Sequence, residues 1–176
     1  MTPTDDASVL RRGLDQLAGL LEDVPGDALG APTPCEQWNV QDLVDHVVAA
    51  PSRFALMARG EKVDWSSTPS SGTEPAARFR SNSEELLRAL ADDGASGGGV
   101  PLDWQCAELA VHTWDLATAL GRSTGDLDAE VAERGLAFMG ASLTDDNRSP
   151  AFGPERPAPE GADAYQRLAA FAGRSV

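Results

Sequence analysis

A chain of 176 residues is long enough to bury a core without disulfide or metal staples, and it fits a single domain spanning 1–176. Its 14 Lys+Arg against 28 Asp+Glu give a formal charge of −14, a field that repels phosphate backbones and anionic membranes, so neither nucleic acid nor a membrane is an expected partner. No apolar run approaches the ~18 residues of a membrane span, the N-terminus has no signal-peptide core, and Cys35 and Cys106 make neither a disulfide framework nor a C-x-x-C motif, so a reduced, cytoplasmic protein is expected.

The first helix is expected from about Asp5 to Val24, where Leu10, Leu14, Leu17, Leu21 and Val24 fall at steps of three and four and form one apolar stripe. Asp5 and Asp6 suit its positive end, and Pro25-Gly26 stops it. After a loop with Pro32 and Pro34, Asn39 is a strong N-cap for the second helix, and Asp42 three positions later completes a capping box. Val40, Leu43, Val44, Val47 and Val48 define its buried face, and Pro51 is expected to kink or end it. From Gly60 to Gly72 the chain is polar and turn-rich, a long connection. The third helix is expected from Thr73 to Ala91, followed by the flexible linker DDGASGGG. A fourth runs from Pro101 to the stop at Gly121, a fifth from Asp128 to Leu143, and a short last one from Ala162 to Ala172. The segment between the last two must be irregular. No alternating strand pattern and no internal repeat is visible, so the fold class is all-α, most simply a bundle.

The chain has only two histidines. His46 shares a helical face with Leu43, Val47 and Ala50, which turns its imidazole inward. Glu108 and His112 stand one turn apart, separated by roughly 5–6 Å at that spacing. Such a pair grips one ion when a third ligand arrives from a facing helix, and His46 is the candidate. Two histidines and one glutamate form a recurrent catalytic zinc set with a fourth position left for water or substrate. The plainer reading is that a histidine in a helix packs or faces solvent, and that Glu four residues before His is an ordinary helix pair. Asp42 competes as a ligand, although its first-turn position favours capping. Asp45 and Asp115 face elsewhere or accept the second ring N–H of a ligating histidine. Trp38, Trp65, Trp104 and Trp114 read as packing residues, and Cys35 and Cys106 as inert small hydrophobes.

The stretches TPCEQWNVQDLVDHVV, AELAVHTWDLATALG and AFGPERPAPEGADAYQRLAAFAGR together resemble an actinobacterial family. It is the family related to the metal-binding domain of mycothiol-dependent maleylpyruvate isomerase, within the DinB-like superfamily. The paired signatures W-N-V-x-D-L-V-x-H and E-L-x-V-H-x-W-D-L carry the likeness. It implies a four-helix bundle with up-down-down-up connectivity and additional short C-terminal helices. It also implies a divalent metal, typically zinc, held by His46, Glu108 and His112. Against the isomerase itself, the length leads one to expect that the additional C-terminal domain is missing, and Pro51 is expected to interrupt a helix that relatives often continue.

Three functions follow as expectations. A zinc ion with an open position activates a low-mass thiol such as mycothiol, for isomerisation of an activated double bond or transfer to an electrophile. Alternatively the metal activates water for hydrolysis. The third possibility is non-catalytic: the metal staples the fold, or the domain senses a ligand or binds a partner. A homodimer through an exposed helix face is also compatible with the sequence.

Overall fold

The computed structural model describes residues 3–92, 101–148 and 151–176. Among them are six α-helices: α1 (Pro3–Glu22), α2 (Val40–Ala58), α3 (Pro75–Asp92), α4 (Leu102–Ala119), α5 (Ala129–Ser142) and α6 (Ala164–Phe171). There is no strand among the described residues, only one antiparallel bridge between Pro32 and Asn39. The all-α reading stands for the described residues, with helix boundaries, the end of α2 excepted, within about two residues of those expected. Most of the linker DDGASGGG lies outside the described residues.

Local chemistry sets the ends. Asn39 Oδ1 accepts from the Asp42 N–H at 2.9 Å, while Asp42 Oδ2 accepts from the Asn39 N–H at 3.1 Å, the reciprocal box that the sequence implied. Asp128 caps α5 through the Glu130 N–H, and Asp163 with Gln166 forms a second box at α6. Gly121, with φ at 66°, carries the chain out of α4 in a left-handed conformation open to glycine.

Of the two outcomes expected at Pro51, a kink or an end, the helix does not end there: α2 runs through it to Ala58. Proline removes one backbone hydrogen bond, but both flanking turns are anchored in the core, with Val47 and Val48 before it and Phe54, Ala55 and Ala58 after it. Burial of that continuous face outweighs the lost bond. Tertiary packing wins over the local rule.

All six helices contribute to one hydrophobic core. The α1 stripe of Leu10, Leu14, Leu17 and Leu21 faces α3 and α4, while α2 packs on α3 and touches α4. Helix α4 is buried nearly all round, from Gln105 to Ala117 with the single exception of Glu108. Its neighbours α1, α2, α5 and α6 enclose it. A polar side chain on such a helix must find a polar partner inside the protein.

Helix α5 lies against α4 through Gly135, where an added Cβ would stand 2.8 Å from the Ala107 Cα and 3.1 Å from its nitrogen. Backbone cannot yield as a side-chain tip can, so Gly135→Ala is expected to destabilise the protein by about 1–3 kcal/mol in urea unfolding. Gly140 in the same helix meets nothing within 4 Å, and Gly140→Ala is expected to be neutral or stabilising by up to about 1 kcal/mol.

Candidate metal centre

The second turn of α2 delivers His46 and the middle of α4 delivers Glu108 and His112, so two helices far apart in sequence converge. His46 Nε2 lies 2.6 Å from Glu108 Oε1, and His112 Nε2 lies 3.5 Å from the same oxygen. The imidazole centroids are 4.8 Å apart at an interplanar angle of 69°. One potential ligand atom from each of the three residues lies within 4.8 Å of the others, a possible metal-binding site of nitrogen–oxygen character. That donor set suits a borderline divalent ion.

The far side of His112 is also held. Its Nδ1 stands 3.2 Å from Asp115 Oδ2, which directs the N–H to the carboxylate and leaves Nε2 facing Glu108. Asp115, fully buried, is gripped in turn by Arg174, whose Nε and Nη2 donate to its two oxygens at 3.2 and 3.0 Å. Burial by itself draws the His112 pKa down, but the Glu108 carboxylate and then Asp115 outweigh it and the pKa is pushed up to about 9. Burial likewise raises Glu108, and the two imidazoles more than reverse this, holding the carboxyl well below its usual range. Asp115 is lowered by His112 and Arg174 against the upward pull of burial. Helix α4 therefore carries charge inside the protein only as a matched chain.

The other expected candidates fall elsewhere. Asp42 caps α2. Asp45 accepts from Gln41 Nε2 at 2.8 Å and from the Ser71 N–H at 2.7 Å, which ties down the long connection. Cys106 is buried in the core. Trp114 is buried too, Trp104 stacks edge-on with Phe54, and Trp65 lies exposed beneath the Arg53 guanidinium. Trp38 packs against the core as expected and also lines the site. Its ring centroid is 4.6 Å from that of His46 and 5.6 Å from that of His112, so it covers the faces of both candidate ligands.

In front of the three residues opens a cavity of about 540 Å³. One wall is the segment 34–38, including Cys35 and Trp38; the other is the C-terminal region, with Phe152, Arg156 and Arg174. Cys35 is thus a half-buried cavity residue and not a core hydrophobe, although burial raises its thiol pKa against the pull of Arg174. The C-terminal wall is fixed firmly. Arg148 donates to the Phe171 carbonyl at 2.6 Å, and the Arg156 N–H donates to Ala170 at 2.9 Å. Gly173, with φ at 87°, passes so close to Gly153 that a Cβ would stand 2.6 Å from the Gly153 Cα. Sequence reasoning missed Trp38 and Arg174 as parts of the site. Their only signal was that both stand in the stretches that carry the resemblance.

Two outcomes follow for the metal-free protein. Elemental analysis is expected to find stoichiometric metal in the unmodified protein and little in His46→Ala; equal contents would remove His46 from the ligand set. Because His112 is protonated below about pH 9, a bound cation must displace that proton. Zinc uptake at pH 7 should therefore release about one proton from this residue, and apparent affinity should fall about tenfold per unit from pH 8 to pH 6. Calorimetry in buffers of different ionisation enthalpy reads the proton count.

Comparison with known proteins agrees with this geometry. The profile of the mycothiol maleylpyruvate isomerase N-terminal domain matches residues 10–117, a span that holds all three candidate ligands. Two proteins of Mycobacterium tuberculosis, from strains CDC 1551 / Oshkosh and ATCC 25618 / H37Rv and both described as uncharacterized, are 32% identical over 94% of this chain and 96% of their own length. No solved structure matches the chain. The chain belongs to the family of the mycothiol maleylpyruvate isomerase N-terminal domain.

Proposed function

We propose that this protein is a zinc-dependent enzyme that works with a low-mass thiol, mycothiol, on an electrophilic substrate, as an isomerase or S-transferase. In this reading residues 1–176 form one metal-binding domain, a DinB-like four-helix bundle of up-down-down-up connectivity with short C-terminal helices added. The observation that carries it is the placement of His46, Glu108 and His112 at the inner end of an open cavity of about 540 Å³. Three ligands with open space in front is the arrangement of a catalytic site, whereas a structural zinc is closed by a fourth protein ligand. Membership of the family supplies the thiol.

His46 and His112 would hold the ion through nitrogen and Glu108 through a carboxylate oxygen. Bound there, zinc would supply a Lewis acid that favours the thiolate at neutral pH, where a free thiol of pKa roughly 8.5 is mostly protonated. The chain's own residues do the rest. Asp115 keeps His112 in the tautomer that offers Nε2, and Arg174 keeps Asp115 charged and in place. Trp38 shields the imidazole faces from water, and the walls at 34–38 and 151–156 shape the space for the rest of the thiol and its partner. Cys35, held as a thiol by burial, is not the nucleophile.

Titration of the zinc-loaded protein with mycothiol is expected to give saturable heat. The cobalt-substituted form should gain a sulfur-to-metal charge-transfer band on adding the thiol. Neither heat nor a spectral change would reject the thiol reading while leaving the metal in place.

A further inference from the structure

Arg53 on α2 is only 7% exposed, and a buried charge without a counter-charge is costly to keep. The other buried arginines each meet a carboxylate within 4.0 Å: Arg134 meets Asp103, Arg148 meets Asp145 and Glu155, and Arg174 meets Asp115. Arg53 meets none among the described residues. Asp64 is near enough to feel its charge, but the Asp64 oxygens accept from Ser66 and Ser67. Of the Arg53 donors only Nη2 has a hydrogen-bond partner among the described residues, the Ser67 carbonyl, while the Trp65 ring lies 5.1 Å from the guanidinium carbon. Arg53 lines a cavity of about 380 Å³ bounded by α2, α3 and the connection at 69–70. Arg78 of α3 lines it too, with Nη1 donating to the Ser70 carbonyl at 3.0 Å and no carboxylate partner among the described residues. The wall adds the polar Ser52 and Asn82 and the apolar Val48 and Leu56, but no acid. In a chain with 28 acidic against 14 basic residues, two guanidiniums meet at a space that carboxylates leave free.

We infer that this cavity is a second binding site, for a small organic anion whose carboxylate or phosphate head is held by Arg53 and Arg78 and whose apolar body lies against Val48 and Leu56. It shares no lining residue with the cavity at the candidate metal centre, so the inference does not depend on the metal reading. A guanidinium presents its N–H groups in a planar fork that matches the oxygens of either head. Each of the two is already tied to a carbonyl of the connection, so little side-chain freedom is lost when the anion arrives. The volume lies in the range of small-molecule sites and exceeds what a bare oxyanion fills, which is why the ligand carries a body. The charge of −14 opposes any anion at long range, and the attraction must come from this local pair.

Butyl phosphate and butyrate share a body and differ in the head, and butanol carries the body alone. Each is titrated into the full chain while NMR follows the indole N–H signals of Trp65 and Trp38, assigned by their loss in Trp65→Phe and Trp38→Phe. Trp65 reports this cavity through Arg53, and Trp38 reports the candidate metal centre. The expected result is a saturable Trp65 shift with one or both anions, half-complete at or below about 1 mM. A response to one anion alone identifies the head that the site takes. Arg78 is exposed, so Arg78→Gln tests the site without disturbing the core, and it should raise the half-saturating concentration about tenfold or more. Arg88→Gln, on the same helix but outside the cavity, should leave it unchanged. Absence of a saturable Trp65 shift with either anion, an equal shift with butanol, or undiminished binding by Arg78→Gln would overturn the inference. So would a response confined to Trp38 and abolished by Arg156→Gln, which would put the anion in the other cavity.

Discussion

A carboxylate set among packed helices needs positive charge beside it, and that requirement organises this molecule. Glu108 lies 2.6 Å from one imidazole and 3.5 Å from another, and removing an isolated carboxylate from water would cost several kcal/mol. The second imidazole then needs its own partner, which is Asp115, and Asp115 needs Arg174. Each group makes the next one tolerable. The chain of charges begins in the buried helix α4 and ends near the C-terminus, so the interior electrostatics and the docking of the C-terminal segment are one problem. Without metal the cluster balances itself with a proton on His112. A divalent cation bound there would replace that proton with a stronger version of the same compensation.

Much of this was legible in the sequence because it depends on spacing. The capping box at Asn39 and Asp42, the α1 leucine stripe and the four-residue step from Glu108 to His112 are local patterns, and each has its expected form in the structure. The facing of His46 was legible too, since its neighbours at helical spacing are apolar. At Pro51 the local rule allowed a kink or an end, and it could not choose between them: buried residues on both sides hold α2 continuous. Trp38 and Arg174 were not legible as site residues. Nothing in a Trp one residue before an N-cap announces that it will meet His112, and nothing in an Arg two residues from the end of the given sequence announces that it will grip Asp115.

The position of Gln105 exposes a limit of pattern reading from another direction. In sequence it is an unremarked polar residue in an apolar helix, which helical periodicity places on no particular face because α4 is buried almost all round. Only packing shows that its amide has no hydrogen-bond partner among the described residues and that Gln105 and Glu108 border one small apolar cavity. An amphipathic helix sorts its polar residues outward. A central helix cannot, so each polar residue it retains is a position where burial is opposed by some other requirement. In α4 those positions include Gln105, Glu108, His112 and Asp115, spaced by three or four residues on successive turns.

The layout also separates two tasks. The candidate ligands sit on α2 and α4, elements fixed by the core, whereas the cavity in front of them is walled by irregular segments at 34–38 and 151–156. Loops can change length and side chains at little cost to a core they do not build. Changes in Phe152 or Arg156 would alter what fits beside the metal and leave the donor set intact. Changes in Arg174 would not, because that side chain reaches Asp115 and through it His112. The C-terminal region thus contains both a replaceable wall and one residue tied to the candidate ligands. The close passage of Gly173 by Gly153 holds the two together, since it presses the segment bearing Arg174 against the segment bearing the variable wall.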